Sequence, residues 1–370
     1  MKIKIAIIIN TISYRGPANV VLNILKSLDL KKYDVTLITL KNSNDQNIIK
    51  KLENNSINVK QFNIKGRLKV LRNIHFIREF INKSDFNIVH CHGITPDFIC
   101  SSLNKDIKTI STIHCNLYED YYSRFGKIIG FCAAKFDIMC LNKIDCNICC
   151  SKSVFNALKN KVKNIDYITN GIDLRKIESG ETKDVISRGK YKIPEDAFVY
   201  VFVGSLNKRK NVKNLVSDFR KYREEDEYLI IVGDGEELSL CKSLTKDDSH
   251  IVYAGRQKNV YDYMKISNVY VSYSLSEGMS ISCLEALANG NYLLLSNIPS
   301  HSELVNSSNV YLGEIFNFDD FKSKKKLLRT KLTKILNNSN VIKYHNENLS
   351  SFAMSTKYQK KYESLLEGND

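Results

Sequence analysis

Two glutamates eight residues apart, Glu277 and Glu285, are the residues of this sequence best suited to chemistry on a polar substrate. They lie in the segment 276–290, after the apolar run Val269–Tyr273 and at the start of a helical pattern of leucine and alanine. This pattern predicts a strand, a loop that carries one carboxylate, and first helical turns that carry the other. Ionised carboxylates only accept hydrogen bonds, which suits the hydroxyl donors of ribose and hexose.

The residues between the two glutamates form a candidate phosphate site. Gly278, Met279 and Ser280 precede the predicted helix, where backbone N–H groups have no acceptor within the helix and attract anions. A diphosphate with a sugar at each end is a nucleotide-sugar, so the segment predicts a nucleotide-sugar site. The alternative is an ordinary strand–helix junction, in which an acidic side chain near the helix start favours the helix dipole.

A second segment supplies positive charge. Arg209 and Lys210 come shortly after the glycine turn that ends the apolar run Phe198–Val203. Cations at this place can face a diphosphate and stabilise the charge that develops on it when a glycosidic bond breaks. The alternative is a solvated basic loop over residues 207–213.

Length and composition indicate a two-domain globular protein. The 370 residues exceed what one compact core usually holds, and 43% hydrophobic with 26% charged residues is ordinary for soluble proteins. No apolar run is long enough to span a bilayer, no signal-peptide pattern is evident, and the ten cysteines show no disulfide framework. We therefore expect a cytoplasmic protein, with peripheral contact to the cytoplasmic face of the inner membrane as an option.

The net charge of +15 is concentrated in the first half of the chain. Residues 1–180 contain 28 Lys and Arg against 15 Asp and Glu, whereas residues 181–370 contain 27 against 25. A basic N-terminal half suggests an anionic partner, either nucleic acid or acidic lipid head groups. A general enrichment in solvated lysine is the alternative, and it leaves the asymmetry without an explanation.

The elements that must position these residues alternate regularly between strand and helix. Apolar runs typical of strands are separated by helical patterns such as Asn19–Leu28 and Leu68–Ile81, and after a polar stretch, Glu178–Lys192, the alternation starts again. This arrangement predicts an α/β protein with two Rossmann-like, doubly wound parallel sheets. The predicted strands are Ile3–Ile9, Val35–Leu40, Ile57–Phe62, Asn87–Cys91, Ile107–Ile113, Asp145–Cys150, Ile165–Thr169, Phe198–Val203, Tyr228–Val232, His250–Ala254, Val269–Tyr273, Tyr292–Ser296 and Asn309–Leu312.

Together these motifs resemble the retaining family-4 glycosyltransferases of GT-B fold. The segment around Glu277 and Glu285 is similar to the Glu-x7-Glu signature of that family, and other motifs follow in family order over nearly the whole chain. They are Arg15-Gly16-Pro17, Val89 to Gly93, Thr112-Ile113-His114, Thr169 to Asp173, Val203 to Leu206 with Arg209-Lys210, Gly233-Asp234-Gly235, Ala254-Gly255 and Glu303.

The resemblance implies two Rossmann-like domains that face each other across a cleft. Residues 1–172 would form the acceptor domain, joined by a helix over residues 351–370 that crosses back to it. Residues 173–350 would form the nucleotide-sugar donor domain. The lysine-rich run Lys322–Lys334 is interpreted as a solvated surface helix.

The resemblance also assigns roles to individual residues. Glu285 would bind the ribose hydroxyls, and Glu277 the hydroxyls of the donor sugar near the reacting carbon. Arg209 and Lys210 would hold the pyrophosphate, with Arg209 supplying the charge that relatives carry at the position of Ser205. The remaining expected contacts to the donor come from the amides of Gly278, Met279 and Ser280 and from the glycine turns at Gly16 and at Gly204 with Ser205. His114 would point toward the donor sugar and help to order the acceptor.

We expect neither a metal nor another cofactor. Cys146 to Cys149 and His90 to His92 lack a second ligand pair at zinc spacing. The nearest approach to the Asp-x-Asp of metal-dependent glycosyltransferases is Glu224-Glu225-Asp226, which has Glu in the first position and is interpreted as an acidic helix end that continues to Glu227. Two cations and a helix N-terminus already supply positive charge at the predicted diphosphate site.

The implied activity is retaining transfer of a hexose or N-acetylhexosamine from a UDP-sugar. The acceptor would be a glycan or a polyisoprenyl-diphosphate-linked saccharide of a bacterial surface polysaccharide, such as O-antigen or capsule. A nucleotide-sugar 2-epimerase of the same architecture is the main alternative, and a non-catalytic protein that binds an anionic surface is another. A Rossmann oxidoreductase is disfavoured because no G-x-G-x-x-G follows the first strand.

Two segments of the first half combine basic and aromatic residues in a pattern typical of membrane-surface contact. The alternative for both is a core helix with solvated Lys and Arg. The first segment contains Arg67, Lys69, Arg72, His75 and Arg78 among apolar residues, and the second contains Tyr118, Tyr121, Tyr122, Arg124, Phe125 and Lys127.

Overall fold

The computed structural model describes residues 2–14, 16–43, 45–64, 70–173, 186–246, 248–332 and 338–368. The chain divides into two compact units, and each is built on one parallel β-sheet. Unit 1 consists of Met1–Gly171 together with Ser351–Asp370, and unit 2 of Ile172–Ser350.

Unit 1 contains seven strands and eight helices among its described residues. The strands are β1 (Ile3–Ile9), β2 (Tyr33–Thr39), β3 (Asn58–Gln61), β4 (Ile88–His92), β5 (Lys108–Ile113), β6 (Cys146–Cys149) and β7 (Ile165–Tyr167). The helices are α1 (Gly16–Lys26), α2 (Gln46–Asn54), α3 (Val70–Asn82), α4 (Ile94–Cys100), α5 (Leu117–Phe125), α6 (Lys127–Leu141), α7 (Lys152–Leu158) and the C-terminal α15 (Ser351–Glu367).

Unit 2 contains six strands and seven α-helices among its described residues, with 3₁₀ turns at Arg188–Tyr191 and Val310–Leu312. The strands are β8 (Phe198–Val203), β9 (Glu227–Val232), β10 (Ile251–Gly255), β11 (Val269–Ser272), β12 (Tyr292–Ser296) and β13 (Gly313–Phe316). The helices are α8 (Val212–Tyr222), α9 (Leu238–Thr245), α10 (Tyr261–Lys265), α11 (Ile281–Ala288), α12 (Pro299–Leu304), α13 (Phe321–Leu332) and α14 (Ser339–Asn348).

Both sheets have a point at which the strand order reverses. The order is β3-β2-β1-β4-β5-β6-β7 in unit 1 and β10-β9-β8-β11-β12-β13 in unit 2. The reversal therefore falls between β1 and β4, and again between β8 and β11. In open α/β sheets, ligands bind beyond the carboxyl ends of the strands at such a point. The central strands β1 and β8 are almost continuous apolar runs, as strands of a parallel sheet covered on both faces usually are.

The predicted α/β fold with two Rossmann-like sheets is confirmed, and so is the return of the C-terminal helix. Helix α15 packs on α1 in unit 1, where the Ser355 hydroxyl donates to the Ile24 carbonyl at 3.1 Å. Tyr358 and Tyr362 on this helix are fully buried, and the Tyr362 ring meets Tyr33 edge to face at a centroid distance of 6.0 Å.

One predicted strand is wrong. Residues 309–312 were expected to be a strand, but Val310–Leu312 is a 3₁₀ turn and the strand is β13, Gly313–Phe316. Two of the apolar side chains that suggested a strand are exposed, at 55% for Val310 and 41% for Tyr311, whereas Leu312 is buried. A Cβ atom at Gly313 would lie 1.9 Å from the Leu293 carbonyl oxygen, so the missing side chain is what lets β13 approach β12.

Of two interpretations of charged segments, one needs an exception and one is wrong. Helix α13 is a surface helix as expected, but Lys325 is buried on its inner face together with Phe321 and Leu328. The acidic run at 224–227 is not a helix end, since α8 ends at Tyr222 and Glu227 is the first residue of β9. Lys325 and Glu227 form a buried ion pair, which joins the two segments.

Candidate functional site

The candidate site lies in unit 2 where the strand order reverses. Strands β8 and β11 are paired in parallel, so the loops that follow them leave the sheet side by side. The loop after β8 carries Gly204, Ser205, Arg209 and Lys210, and the loop after β11 leads through Glu277 to helix α11. These residues therefore lie where a doubly wound sheet is expected to bind a ligand.

Glu277 is the centre of a cluster of charged and polar side chains. Its Oε2 lies 2.6 Å from Nη1 of Arg209, and its Oε1 pairs with Nζ of Lys210 and accepts a hydrogen bond of 2.9 Å from the Ser274 hydroxyl. Only 7% of the Glu277 side chain is exposed, against 35% of Arg209. The cluster thus brings together two cations and one carboxylate, with Arg209 as its most exposed member.

The charges of this cluster determine the ionisation of Glu277. Burial alone would raise the pKa of this carboxyl, but the opposing charges and hydrogen bonds of Lys210 and Arg209 lower it to about 2. Glu277 is therefore ionised at neutral pH, and with both cations charged the cluster keeps one net positive charge. A buried carboxylate with two cationic partners is stable only if all three charges stay together.

Arg209 also joins the two loops through its backbone and its side chain. Nη1 of Arg209 donates to the Ser276 carbonyl at 2.8 Å, and the Leu275 amide donates to the Arg209 carbonyl at 2.8 Å. The guanidinium is therefore held by a backbone acceptor as well as by a carboxylate, which orients it before any ligand binds.

Glu285 lies on helix α11, in the second helical turn. It is partly exposed, and its Oε1 lies 3.4 Å from the hydroxyl of Tyr261 on α10. The helix starts at Ile281, with Ser280 as the N-cap residue, and Met279 and Ser280 are buried whereas Gly278 is partly exposed. The expectation that these residues bind the phosphate and ribose of a nucleotide stays a prediction.

The glycine turn after β8 is packed against a second glycine. The Gly204 amide donates to the Val232 carbonyl at 3.0 Å, and a Cβ atom at Gly233 would lie 1.8 Å from the Gly204 carbonyl oxygen. Gly233 adopts a φ of 153°, so both its backbone conformation and this close contact require glycine. Ser205, the next residue, is exposed.

The remaining predicted site residues, His114 and Gly16, belong to unit 1. His114 follows β5 and stacks on His92 at the end of β4, with 3.0 Å between His92 Nδ1 and His114 Nε2. Burial lowers the pKa of His114 to about 4, so its imidazole is neutral at pH 7. Gly16 starts helix α1 with a φ of +47°, which glycine adopts without strain, and Arg15 before it lies outside the described residues.

Two family models match the two halves of the chain. "Glycosyltransferase Family 4" matches residues 14–176, and "Glycosyl transferases group 1" matches residues 185–348. Together they include every residue discussed above for the candidate site. The chain is a family-4 glycosyltransferase.

Curated relatives of this glycosyltransferase include two from Escherichia coli. One is named UDP-Gal:alpha-D-GlcNAc-diphosphoundecaprenol alpha-1,3-galactosyltransferase and is 27% identical over 73% of both chains. The other is named O-antigen biosynthesis glycosyltransferase WclY and is 27% identical over 81% of this chain and 82% of the relative.

Solved structures show the same fold over almost the full length. A glycosyltransferase from Rickettsia africae superposes with a TM-score of 0.74 at 17% identity, covering 99% of both chains. Anabaena Alr3699/HepE in complex with UDP and glucose superposes with a TM-score of 0.77 at 15% identity, covering 98% of this chain and 100% of that chain.

Sequence reasoning missed how the site residues of the glycosyltransferase contact one another. The sequence-based prediction places Glu277 at the donor sugar and the two cations at the pyrophosphate, and it includes no ion pair between them. Ser274 was not singled out at all. One signal was present in the sequence, because Arg209 and Glu277 each follow an apolar run. That these two runs pair with each other depends on the strand order, which the sequence-based prediction does not include.

Proposed function

We propose that this glycosyltransferase moves a hexose or N-acetylhexosamine from a UDP-sugar onto a lipid-linked or other glycan acceptor of a bacterial surface polysaccharide, with retention of configuration and without a metal ion. The observation that carries the proposal is the cluster of Arg209, Lys210 and Glu277 at the carboxyl ends of β8 and β11. The names of the E. coli relatives support the substrate class, since they mention a UDP-sugar, a lipid diphosphate acceptor and O-antigen.

The two cations supply the main electrostatic contribution. When the bond between the sugar C1 and the diphosphate oxygen breaks, its electron pair stays on that oxygen, and Arg209 and Lys210 stabilise the added negative charge. Glu277 contributes in two ways, because it orients both cations in the free enzyme and offers a carboxylate to a hydroxyl of the donor sugar. Glu285 would accept hydrogen bonds from the ribose, next to the amides of Gly278 to Ser280.

Retention is explained by attack on the face that the diphosphate leaves. The acceptor hydroxyl oxygen forms the new bond to C1, and its proton passes to the departing phosphate oxygen. Neutral His114 orders the acceptor in this scheme and is not needed as a base, consistent with its pKa near 4. An α-linked donor would then give an α-linked product.

Metal independence is proposed because positive charge is already supplied by side chains. Among the described residues, no three His, Cys, Asp or Glu side chains converge as metal ligands. The net positive charge of the Arg209–Lys210–Glu277 cluster could then take the place that a divalent ion has in other diphosphate sites.

The test is a transfer assay with purified protein, a panel of UDP-sugars and a GlcNAc-diphospho-lipid acceptor, with and without EDTA. We expect one UDP-sugar to be consumed only when the acceptor is present, with EDTA leaving the rate unchanged. The anomeric proton coupling of the product then reports the configuration. Conversion of the donor without acceptor would favour the 2-epimerase, an inverted linkage would contradict retention, and inactivation by EDTA would contradict metal independence.

We also propose a peripheral contact with anionic membranes through one face of helix α6. This face consists of Ile128, Ile129, Phe131, Phe136 and Met139, of which Ile128 is 83% exposed. Lys127 and Lys135 are exposed on the same helix, and its one acidic residue, Asp137, is buried. Exposed apolar side chains together with only positive exposed charge suit a surface of anionic lipids.

The first of the two basic segments named from the sequence supports membrane contact less well. Arg67 and Lys69 lie outside the described residues. In the described part of α3, Ile74 and Ile77 are buried and Phe76 is exposed, as in a helix that packs on a core. No helix among the described residues is both long enough and apolar enough to cross a bilayer.

Vesicle flotation tests the α6 face. Wild type should float with vesicles that contain phosphatidylglycerol and stay in solution with pure phosphatidylcholine, and Ile128→Glu/Ile129→Glu should abolish flotation. Leu240→Glu is the matched control, because Leu240 is also an exposed apolar helix residue but lies in unit 2. Equal flotation of the double variant and wild type would contradict the proposal.

A further inference from the structure

His301 is a buried histidine near the Glu277 cluster that the proposed reaction does not use. It lies on the short helix α12, directly after β12, and its side chain is fully buried. The charges of Glu277 and Lys210 are near enough to shift the pKa of His301 in opposite directions, although burial is the main effect and lowers that pKa to about 4. A residue this inaccessible does not touch a substrate, so any role in the reaction is indirect.

The contacts of His301 define which ring nitrogen carries the proton. Nδ1 lies 2.9 Å from the Ser296 carbonyl oxygen, which can only accept. The Ser296 hydroxyl, 3.3 Å from the same nitrogen, donates to the Ser274 carbonyl at 2.7 Å. Nδ1 is therefore the protonated nitrogen of a neutral imidazole, and it acts as a donor to the last residue of β12.

The hydrogen bonds continue from Ser274 to the Glu277 carboxylate. The Ser274 hydroxyl donates to Glu277 Oε1 at 2.9 Å, and because its single proton is used there, Ser272 acts as the donor to Ser274 at 3.1 Å. Ser272, Ser274 and Ser296 are all buried. A continuous series of contacts thus joins α12, the end of β12, the end of β11 and the carboxylate between the two cations.

This series of contacts lies where the pairing of β11 with β12 ends, and it can therefore affect the position of Ser274. The ladder between β11 and β12 ends at Ser272 and Leu295, so Ser274 lies beyond the residues that this ladder pairs, whereas Ser296 is still paired with Phe316 of β13. The bonds from His301 to Ser296 and from Ser296 to Ser274 take over at that point. Oε1 of Glu277 accepts from both Ser274 and Lys210, so a shift of Ser274 changes the direction in which the carboxylate holds Lys210.

We infer that His301 is a positioning residue for Glu277, acting through Ser296 and Ser274. This inference rests on the proposed function, because Glu277 is taken there as part of the donor site. A role in packing alone is the alternative, since His301 is buried in any case. Among the described residues, Nε2 of His301 has no hydrogen-bond partner, so the contact through Nδ1 is its polar link to the site.

Two substitutions separate positioning from packing. His301→Asn keeps an N–H donor close to the position of Nδ1, whereas His301→Leu fills a similar volume without any donor. We expect His301→Leu to lower kcat about 10-fold and to leave the Kd for UDP within about 2-fold. We expect His301→Asn to stay within about 3-fold of wild type in kcat. Equal activity of the two variants, whether high or low, would overturn the inference.

A double-mutant cycle with Ser274→Ala tests the path. If His301 acts through Ser274, His301→Leu should cost less than about 2-fold in kcat when Ser274 is already alanine. A full 10-fold loss in both backgrounds would show that the two residues act independently, and it would remove the proposed path.

Crystal structures of the variants give a readout that does not depend on activity. In His301→Asn the Glu277 carboxylate should still contact Arg209 and Lys210, and in His301→Leu it should turn away from Lys210. An unchanged Glu277 in His301→Leu would overturn the inference even if no UDP-sugar is turned over. Conversely, failure of wild type to bind UDP or to use any UDP-sugar would contradict the proposed function and leave the crystallographic comparison to decide on His301.

Discussion

The buried polar groups of the two units differ in charge. In unit 2 the buried polar groups include two sets of ion pairs: Glu277 with Arg209 and Lys210, and Glu227 with Lys325 and Arg329. In unit 1 the buried ionisable groups include His90, His92, Asp97 and Asp137, and their hydrogen bonds are to Tyr, Thr, Cys, Ser and His side chains.

Burial shifts these unit 1 groups toward their uncharged forms. Burial lowers the pKa of His90 to about 3 and raises the pKa of Asp137 to about 6. His90 bonds to Tyr362 at 2.8 Å and to Thr112 at 2.7 Å, and Thr112 in turn lies 2.9 Å from the Tyr358 hydroxyl. These neutral bonds hold helix α15 to the sheet.

This difference matches the roles proposed for the two networks. Fixed charges in unit 2 can stabilise an anion without reorganisation, because Arg209 and Lys210 are already oriented by Glu277. The neutral network of unit 1 only has to join a terminal helix to a sheet, and neutral hydrogen bonds do this without burying a charge. We therefore expect unit 2 to respond most to loss of a charge, and unit 1 to respond most to pH.

The largest expected effect comes from removing one cation of the site. Lys210→Ala should lower kcat by about 10²–10³-fold, because one donor to the leaving diphosphate is lost and Glu277 loses one of its two partners. Steady-state kinetics with the preferred UDP-sugar measures this. Lys208→Ala is the control, since Lys208 lies in the same loop but is exposed. Equal losses in both variants would mean that the loop contributes only general positive charge.

The next effect concerns the buried ion pair that joins α13 to β9. Lys325 and Glu227 have exposures of 2% and 0%, and Glu227 also accepts from the Tyr200 hydroxyl at 3.2 Å. Lys325→Met should lower the free energy of unfolding of unit 2 by about 3–5 kcal/mol, because it leaves a buried carboxylate with fewer partners. Urea unfolding, monitored by the hydrogen exchange of the β9 amides, measures this change in unfolding free energy.

The neighbouring residue Lys324 is the control for that experiment. Lys324→Ala should change the unfolding free energy by less than about 1 kcal/mol, because the Lys324 side chain is 34% exposed and its partner Glu314 keeps a second ion pair with Lys331. A loss of similar size in Lys324→Ala would indicate that α13 as a whole, and not the buried pair, is responsible.

A third prediction concerns the pH response of unit 1. The pKa of His90 is lower in the folded state than the usual 6.5, so the unfolded chain binds more protons and His90 contributes stability that is lost as pH falls below 6.5. Between pH 6.5 and pH 5 this loss is about 2 kcal/mol. Asp137, with a raised pKa, acts in the opposite direction, because its contribution is lost as pH rises through about 6.

A variant isolates the contribution of His90 from that of Asp137. The difference in unfolding free energy between wild type and His90→Asn should shrink by about 2 kcal/mol from pH 6.5 to pH 5. Hydrogen exchange in β4 and β5, corrected for the pH dependence of chemical exchange, measures it. A constant difference over this range would mean that His90 is not held neutral by burial.

The smallest expected effect comes from Tyr261, the hydrogen-bond partner of Glu285. Tyr261→Phe removes one hydrogen bond of 3.4 Å, which is near the limit of hydrogen-bond distance, and should weaken UDP binding by less than about 3-fold. Isothermal titration with UDP measures this change. Glu285→Ala in the same titration should weaken binding much more if Glu285 holds the ribose, and comparable small effects would contradict that role.

Much of the fold could be predicted because strands buried on both faces have continuous apolar sequences. Twelve of the thirteen predicted strands overlap an observed strand, and the exception is explained by Gly313 and Glu314, which interrupt the apolar pattern of β13. Lys325 was misjudged because a lysine within a lysine-rich helix looks solvated in sequence. Its burial depends on Glu227, which is 98 residues away in the chain.

The sequence by itself determined the alternation of strands and helices, the family, and the residue types at the candidate site, because these depend on local composition and on motif order. Only the tertiary structure decided which of these residues contact one another. Parallel pairing of β8 with β11 brings Arg209 and Lys210 onto Glu277, and pairing of β11 with β12 brings Ser296 and His301 behind it. Both contacts need strand neighbours that are distant in sequence, and strand order comes from the packing of the whole sheet.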